Sequence, residues 1–313
     1  MRRGMTLIEV MVSLVILMIV LGAIYSILTI QQQRATMVSE TSVLQADAQV
    51  AYTLFKWDLM LAGLGHPKNN AVLTSFNNTG YLGSDGINLR GVGFGFEMNQ
   101  TRWSYMLEGA DGTQLIVARF KDTTTYFKPT DHIVILSDSR EILDPPGEVI
   151  ITQVDTFTYY DENGNPKPAQ RLTINAPALT KNVQVVITYN NPDIYNTGIL
   201  YQVNNGTLER GTEDLLDNVE NIQFAYGLDT DEDTIIDTWY NNIPDSLLRP
   251  TPYGRRWALR YTMVVASRDI PNYTYPYANV TVEDNTYALT DAMRHRKRTF
   301  FSGILYPQNL EPY

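Results

Sequence analysis

The sequence predicts an α+β protein in which a long N-terminal helix packs on an antiparallel β-sheet head. The first observation is a charge-free, mostly apolar run from Val10 to Ile30. The second is an apolar periodicity of three, four and seven residues that continues to Ala62, as in an amphipathic helix. The third is a series of short segments after Val72 that are rich in Val, Ile, Thr and aromatic residues, as strands are.

The charge-free run is long enough to cross a membrane. At a rise of about 1.5 Å per residue it spans about 32 Å, which matches a bilayer core. It is too long for the apolar core of a secretory signal peptide. Two interpretations remain, a plain signal anchor and a short basic leader that is cut after Gly4. The second makes Met5 the new N-terminus and accounts for Glu9, an acid whose position at the edge of a membrane helix indicates a function.

The segment from Gly4 to Leu14 resembles the start of type IV pilins and type II secretion pseudopilins. That resemblance implies a prepilin leader, cleavage between Gly4 and Met5 by the prepilin peptidase, and N-methylation of Met5. Met5 stands where the family usually has Phe. It also implies a role for Glu9 in assembly, pairing with the Met5 amine of a neighbouring subunit. At about 4 Å and an effective dielectric constant near 20, such a pair is worth about 4 kcal/mol, which desolvation offsets in large part.

The chain divides into a leader (1–4), an apolar transmembrane or filament-core helix (5–30), its amphipathic continuation (31–65) and a β-rich head (66–313). Asn163-Gly164 and Asn205-Gly206 predict hairpin turns, and Thr212–Asn218 predicts a short helix or a loop. The basic run Arg294–Arg298 is interpreted as a solvated turn before the last strand. The strand candidates are Gln114–Phe120, His132–Leu136, Glu148–Thr152, Thr156–Tyr160, Arg171–Ile174, Val183–Tyr189, Gly198–Val203, Val219–Tyr226 and Trp257–Ser267.

The acidic loop at residues 229–237 is the one candidate metal site. It carries Asp229, Asp231, Asp233 and Asp237 at positions 1, 3, 5 and 9 of a calcium-loop pattern, and the backbone carbonyl of Ile235 would occupy position 7. The Gly and Glu that a full EF-hand requires at positions 6 and 12 are replaced. The pattern therefore predicts a Ca²⁺-binding loop outside a helix–loop–helix frame, with a solvated acidic turn as the alternative.

Three further segments resemble PilW-type minor pilins: Val219–Asp229, Trp257–Arg268 and Arg298–Leu305. The resemblance implies a structural subunit that helps initiate or cap a type IV pilus. The implied partners are other minor pilins, the major pilin, the prepilin peptidase, the inner-membrane assembly platform and the membrane itself. A J-type pseudopilin of type II secretion is the nearest alternative. A calcium-dependent adhesin at the pilus tip is an alternative of a different class.

Composition limits the remaining possibilities. The 313 residues carry a net charge of −10, which argues against a general nucleic-acid-binding surface. There is no cysteine, so the head has no disulfide. No spacing typical of a catalytic triad or a histidine metal site occurs, and the sequence does not predict an enzyme. Arg2 and Arg3 predict a cytoplasmic N-terminus and a head beyond the bacterial inner membrane, before transfer to the filament, where the tip is the expected position.

Overall fold

The computed structural model describes residues 7–67, 72–94, 102–120, 126–137, 141, 148–175, 185–189, 197–231, 233, 235–244, 257–271 and 273–307. Helix α1 runs from Leu7 to Leu61 and is about 82 Å long at the standard rise. Two glycines with positive φ, Gly63 (86°) and Gly65 (74°), follow its end. Such residues end helices because they adopt the left-handed conformation without a Cβ clash.

Two antiparallel sheets cover the C-terminal half of α1. The five-stranded sheet has the order β1 (Leu73–Phe76), β2 (Gly86–Leu89), β9 (Ile199–Asn204), β10 (Thr207–Arg210) and β11 (Glu213–Asp217). The four-stranded sheet has the order β13 (Thr238–Tyr240), β12 (Val219–Leu228), β14 (Trp257–Ala266) and β17 (Arg298–Leu305).

The two sheets and the helix share one hydrophobic core, which we call the body. Phe55 of α1 contacts both sheets, with ring centroids 4.9 Å from Tyr201 and 5.7 Å from Phe224. Ala48 and Ala51 of α1 are nearly fully buried, and their small side chains allow the helix to approach the sheets closely. The hairpin of β15 (Asn279–Val282) and β16 (Asn285–Ala288) packs on the opposite face of the four-stranded sheet.

A closed six-stranded barrel lies between β2 and β9 in the sequence. Its order is β3 (Trp103–Asp111), β4 (Gln114–Ala118), β7 (Pro166–Ile174), β6 (Val149–Tyr160), β5 (His132–Leu136) and β8 (Val185–Tyr189).

The barrel is an insertion with a core of its own. Pairing of Trp103 with Ile187 closes it, and its interior is a separate cluster of buried aliphatic residues. Because β2 and β9 are hydrogen-bonded neighbours, the chain leaves the body and returns to it at almost the same place. A small cluster that includes Leu64, Val92 and Val134 joins barrel and body.

The α+β prediction is confirmed, and both hairpin turns form, since β6–β7 and β9–β10 enclose them. Two details differ from the sequence-based expectation. Glu148–Thr152 and Thr156–Tyr160 belong to one strand, β6, which has a bulge after Ile151. Thr212–Asn218 contains strand β11, because pairing with β10 supplies its hydrogen bonds.

Candidate functional site

The N-terminal half of α1 is an apolar helix that the rest of the described chain does not cover. Every residue from Leu7 to Leu28 is exposed, whereas the head buries the helix from Leu44 onward. Within the described part of the chain, α1 is the one helix long and apolar enough to span a membrane. An apolar surface of this length in water is unstable, so it requires lipid or other apolar helices around it.

Glu9 lies in the first turn of α1. An acid there is favourable because the unpaired N–H groups of the helix start carry partial positive charge. Its backbone carbonyl accepts a hydrogen bond from the Ser13 hydroxyl at 2.7 Å, and the residue is exposed. The predicted processing residues Gly4 and Met5 lie outside the described residues, so the cleavage position and the pairing with Glu9 stay predictions.

A buried polar contact fixes the helix to the head. The Asp58 side chain is fully buried. One of its carboxylate oxygens, Oδ2, accepts hydrogen bonds from the Tyr201 hydroxyl and from Arg210 Nε, both at 2.7 Å. Burial, followed by the negative charge of Asp58, raises the pKa of Tyr201, which therefore remains a donor. This contact sets the axial position of α1 relative to the five-stranded sheet.

The acidic loop is a hairpin connection between two neighbouring strands. It leaves β12 after Leu228 and returns in β13, and the Asp237 N–H donates to the Leu228 carbonyl at 3.0 Å. Carboxylate oxygens of Asp229, Asp231 and Asp237 lie within 4.8 Å of one another. Two oxygens that bind one Ca²⁺ from opposite sides, each at about 2.4 Å, are separated by about the same distance.

The other two predicted ligands have a different arrangement. Asp233 is not among the three converging carboxylates; its Oδ1 accepts the Ile235 N–H at 2.8 Å and so shapes the turn. The Ile235 side chain is 65% exposed. The hairpin thus brings together three of the four predicted acids. Calcium binding itself stays a prediction.

Two of the converging acids, Asp231 and Asp237, have pKa values that are shifted in opposite directions. Partial desolvation, followed by the negative charges of Asp233, Asp237 and Asp229, raises the pKa of Asp231. Hydrogen bonds from the Thr230 N–H and hydroxyl, at 2.7 and 2.8 Å, lower the pKa of Asp237. A divalent cation would relieve the repulsion that raises the pKa of Asp231.

The basic run 294–298 differs from the solvated turn that was expected. It spans the end of a short helix, α2 (Asp291–Arg294), and the first residue of β17. Arg298 is buried, with its Nε and Nη2 atoms 2.6 and 2.8 Å from the two carboxylate oxygens of Glu220. Arg296 pairs with Asp269 at 2.7 Å. The run therefore holds the last strand in place, and no sequence signal distinguished this use of its charges from a solvated one.

Two family models match the chain. Residues 1–25 match the prokaryotic N-terminal methylation motif. Residues 187–305, which begin in the last barrel strand and end with β17, match type IV pilus-assembly protein W. A search of curated proteins and a search of solved structures found no match.

The methylation motif and the exposed apolar half of α1 define a pilin-like protein that is made as a prepilin. The match over the C-terminal part of the body then supports the particular type, a PilW-type minor pilin of the type IV pilus. The family is structural and not enzymatic. Its members interact with other pilins and with the assembly machinery, and the apolar helix fits an anchor in the inner membrane.

Proposed function

We propose that this minor pilin helps to initiate or cap the type IV pilus and occupies the tip of the filament. The observation that carries the proposal is the contrast along α1, which has an uncovered apolar half and a half locked into a large head. The apolar half suits both a lipid bilayer and a bundle formed with the N-terminal helices, or stems, of neighbouring subunits. Before assembly it would anchor the subunit in the inner membrane, with the head outside the cytoplasm.

The size of the head favours a terminal position. Beside the body, of which the family model matches the part from β9 to β17, the head carries a complete barrel. A subunit within the shaft must fit neighbours on all sides at every repeat, and added bulk obstructs such packing. A subunit at the tip has one open side and tolerates it.

The proposal is tested with Glu9→Leu and the neighbouring control Ser13→Ala in cells that lack the wild-type gene. If Glu9 pairs with the amine of an adjacent subunit, Glu9→Leu inserts and loses its leader normally but restores few pili. Ser13→Ala should restore normal numbers. Immunogold labelling of the wild-type head should mark filament ends. Wild-type pilus numbers in the deletion strain would contradict the priming role, and label along the shaft would contradict the tip position.

The J-type pseudopilin alternative predicts a different defect in the same deletion strain. Loss of type II secretion with normal pili would favour it. The PilW match supports the pilus instead.

We also propose that the acidic loop binds Ca²⁺ through Asp229, Asp231 and Asp237, with Asp233 and the Ile235 carbonyl completing the ligand set. Hard carboxylate oxygens at this spacing suit Ca²⁺. Binding to the folded state alone raises stability by about 2.7 kcal/mol at a hundredfold excess over Kd. A calcium-dependent rise in Tm that Asp231→Asn abolishes and the exposed control Asp214→Asn preserves would support the site. An equal rise in all three proteins, or none in the wild type, would refute it.

An adhesive function is the second candidate, and the outer surface of the barrel favours it. Trp103, Tyr105 and Phe120 are 40 to 51% exposed. The rings of Trp103 and Tyr105 lie 5.5 and 6.2 Å from that of Phe120. Exposed, clustered aromatic rings are typical of binding surfaces. Binding of cells or matrix by the purified protein, lost in Trp103→Ala with Phe120→Ala, would favour the adhesin; binding to sister minor pilins alone would favour the cap.

A further inference from the structure

A second apolar stripe runs along α1 where the helix faces solvent. It consists of Val43, Ala46, Val50, Thr53 and Trp57, all exposed. Their spacing alternates between three and four residues, which is the pattern of a helix that packs on another helix. We call these five residues the seam. Val43, Val50 and Trp57 are 55, 66 and 47% exposed, so the head leaves the largest members largely uncovered.

The fold of the head does not account for the seam. The stripe that packs on the body includes Leu44, Ala48, Ala51 and Phe55, and the centre of the seam lies about 150° around the helix from the centre of that stripe. The membrane does not account for it either. Val43 lies 13 residues beyond Ile30, the end of the charge-free run, or about 20 Å along the helix. The seam therefore faces water in the isolated subunit.

An acidic cleft borders the seam. It lies between α1 and the end of β11, has a volume of about 340 Å³, and is lined by Val43, Val50 and the acids Glu40, Asp47 and Asp217. Among its described lining residues, Arg268 is the one basic side chain. Thr53 adds little polarity to the seam because its hydroxyl donates to the Gln49 carbonyl at 2.7 Å. The surface thus combines projecting apolar side chains with negative charge along one side of the seam.

We propose that the seam and its acidic cleft bind the stem helix of a different pilin subunit, one that carries Lys or Arg beside its own apolar stripe. This inference rests on the proposed function, because it requires the subunit to stand among other pilins. Apolar residues at alternating three- and four-residue spacing fit into the holes of a facing helix. Charges that flank such a stripe select the partner.

A second copy of the chain fits this surface poorly. Stems anchored in one membrane lie parallel, and in a parallel pair the flanking positions of one helix face the opposite flank of the other. The opposite flank of the seam carries Ser42, Gln49 and Lys56. In that register, Asp47 of one copy faces Ser42 of the other. Lys56 lies further along the helix than either acid, so no basic residue of the second copy meets Glu40 or Asp47. A basic partner helix would supply the missing charges.

The test is photocrosslinking in intact cells from a benzoylphenylalanine placed at position 50. Mass spectrometry of the adducts should identify the N-terminal helix of another pilin, with a basic residue within one turn of the crosslink. The same probe at Gln45, which is exposed 200° around the helix from Val43, should give a different adduct or none. Adducts with a second copy, with lipid alone or with no molecule would overturn the proposal.

Charge variants test the selectivity. Glu40→Lys with Asp47→Lys should reduce the yield of the adduct about fivefold, the effect of losing two exposed ion pairs. Glu40→Asp with Asp47→Glu should retain it, and both double variants should melt at the wild-type temperature. An unchanged yield in the lysine variant would overturn the acidic role.

A probe at Leu21, within the apolar run, separates this inference from the proposed function. An adduct with a pilin at Leu21 and none at Val50 refutes the seam while the pilus role stands. No pilin adduct at either position refutes both.

Discussion

At the scale of single residues, three of the buried carboxylates in the described part of the chain bind segments that are distant in the sequence. They are Asp58, Asp85 and Glu220, each at most 4% exposed. Each accepts hydrogen bonds from a segment at least 67 residues away. A buried charge is tolerated where donors surround it, and removal of a donor is costly because the charge stays behind. These residues therefore make the fold specific as well as stable, and two of them give measurable predictions.

Asp85 should make stability depend on pH. Burial, with the nearby charge of Asp284 as a smaller cause, raises its pKa from 3.8 to about 6, although the N–H groups of Phe224 and Asn78 donate to it at 2.8 Å. The folded state thus holds the proton more tightly than the unfolded state. This contribution is complete below pH 4 and is lost as the pH rises through about 6, which amounts to about 3 kcal/mol.

The measurement is urea unfolding of the detergent-solubilised chain at several values between pH 4 and 7. Asp85→Asn cannot titrate, so its free energy of unfolding should lack this component of the pH dependence. An identical slope in wild type and variant would show that Asp85 is not the group responsible.

Arg210 should contribute more to stability than Tyr201, although both bind the same oxygen of Asp58. Arg210→Ala leaves a buried carboxylate without its cation and should cost about 3 to 5 kcal/mol. Tyr201→Phe removes one hydrogen bond and should cost about 1 to 2 kcal/mol. Denaturant titration of both variants decides the order, and a larger loss in Tyr201→Phe would argue that the ion pair is dispensable.

At the scale of elements, different surfaces of α1 face different surroundings. Its first half is apolar on every side, its second half buries one apolar stripe in the body, and the seam lies on nearly the opposite side of the helix from that stripe. One helix can hold these surfaces because side chains three and four residues apart share a face. The small buried residues set the distance between helix and sheets, which determines where the stem points relative to the head.

Ala51→Leu should weaken the contact between helix and head. Ala51 is 2% exposed in the shared core, and overpacking at such a site costs about 1 to 3 kcal/mol. Ala46→Leu, at an exposed position one and a half turns away, is the matched control and should change the free energy of unfolding by less than about 0.5 kcal/mol. Equal effects in thermal unfolding would contradict the observed packing of α1.

At the scale of the whole molecule, the body and the barrel are separate units with different relations to the family. The PilW match ends with β17 and begins in β8, so most of the barrel lies outside it. The separate barrel core and the pairing of β2 with β9 mean that the body does not need the barrel to complete its sheets. The barrel is therefore the part of the head that can change without changing the pilin body.

Replacement of residues 95–197 by a flexible linker should leave a folded body. Removal of the barrel uncovers Val92 and Leu64, which should cost about 3 kcal/mol, less than a domain of this size has available. Circular dichroism should show one cooperative transition, and the variant should still enter pili. Loss of all cooperative unfolding would mean that the barrel is an integral part of the body.

The sequence predicted local features more readily than long-range pairing. Hairpin turns at Asn-Gly form because the turn chemistry is local. The barrel was not predicted, since its closure depends on Trp103 meeting Ile187, 84 residues later. Strand β11 resembled a helix or loop until its partner β10 was known. The spacing of the acids in the loop predicted four carboxylate ligands. In the folded hairpin, the carboxylates of three of them converge.

By itself, the sequence determined the stem: the leader motif, Glu9 and an apolar run of membrane length depend only on the order of residues along one helix. The tertiary structure alone decided which charges are buried. Asp and Arg side chains usually lie at the surface. Asp58 and Arg298 lie inside because residues 152 and 78 positions away in the sequence, respectively, supply their ion-pair partners. It likewise decided that Val50 and Trp57 remain uncovered, since both helical stripes are apolar in the sequence and only the packed sheets distinguish them.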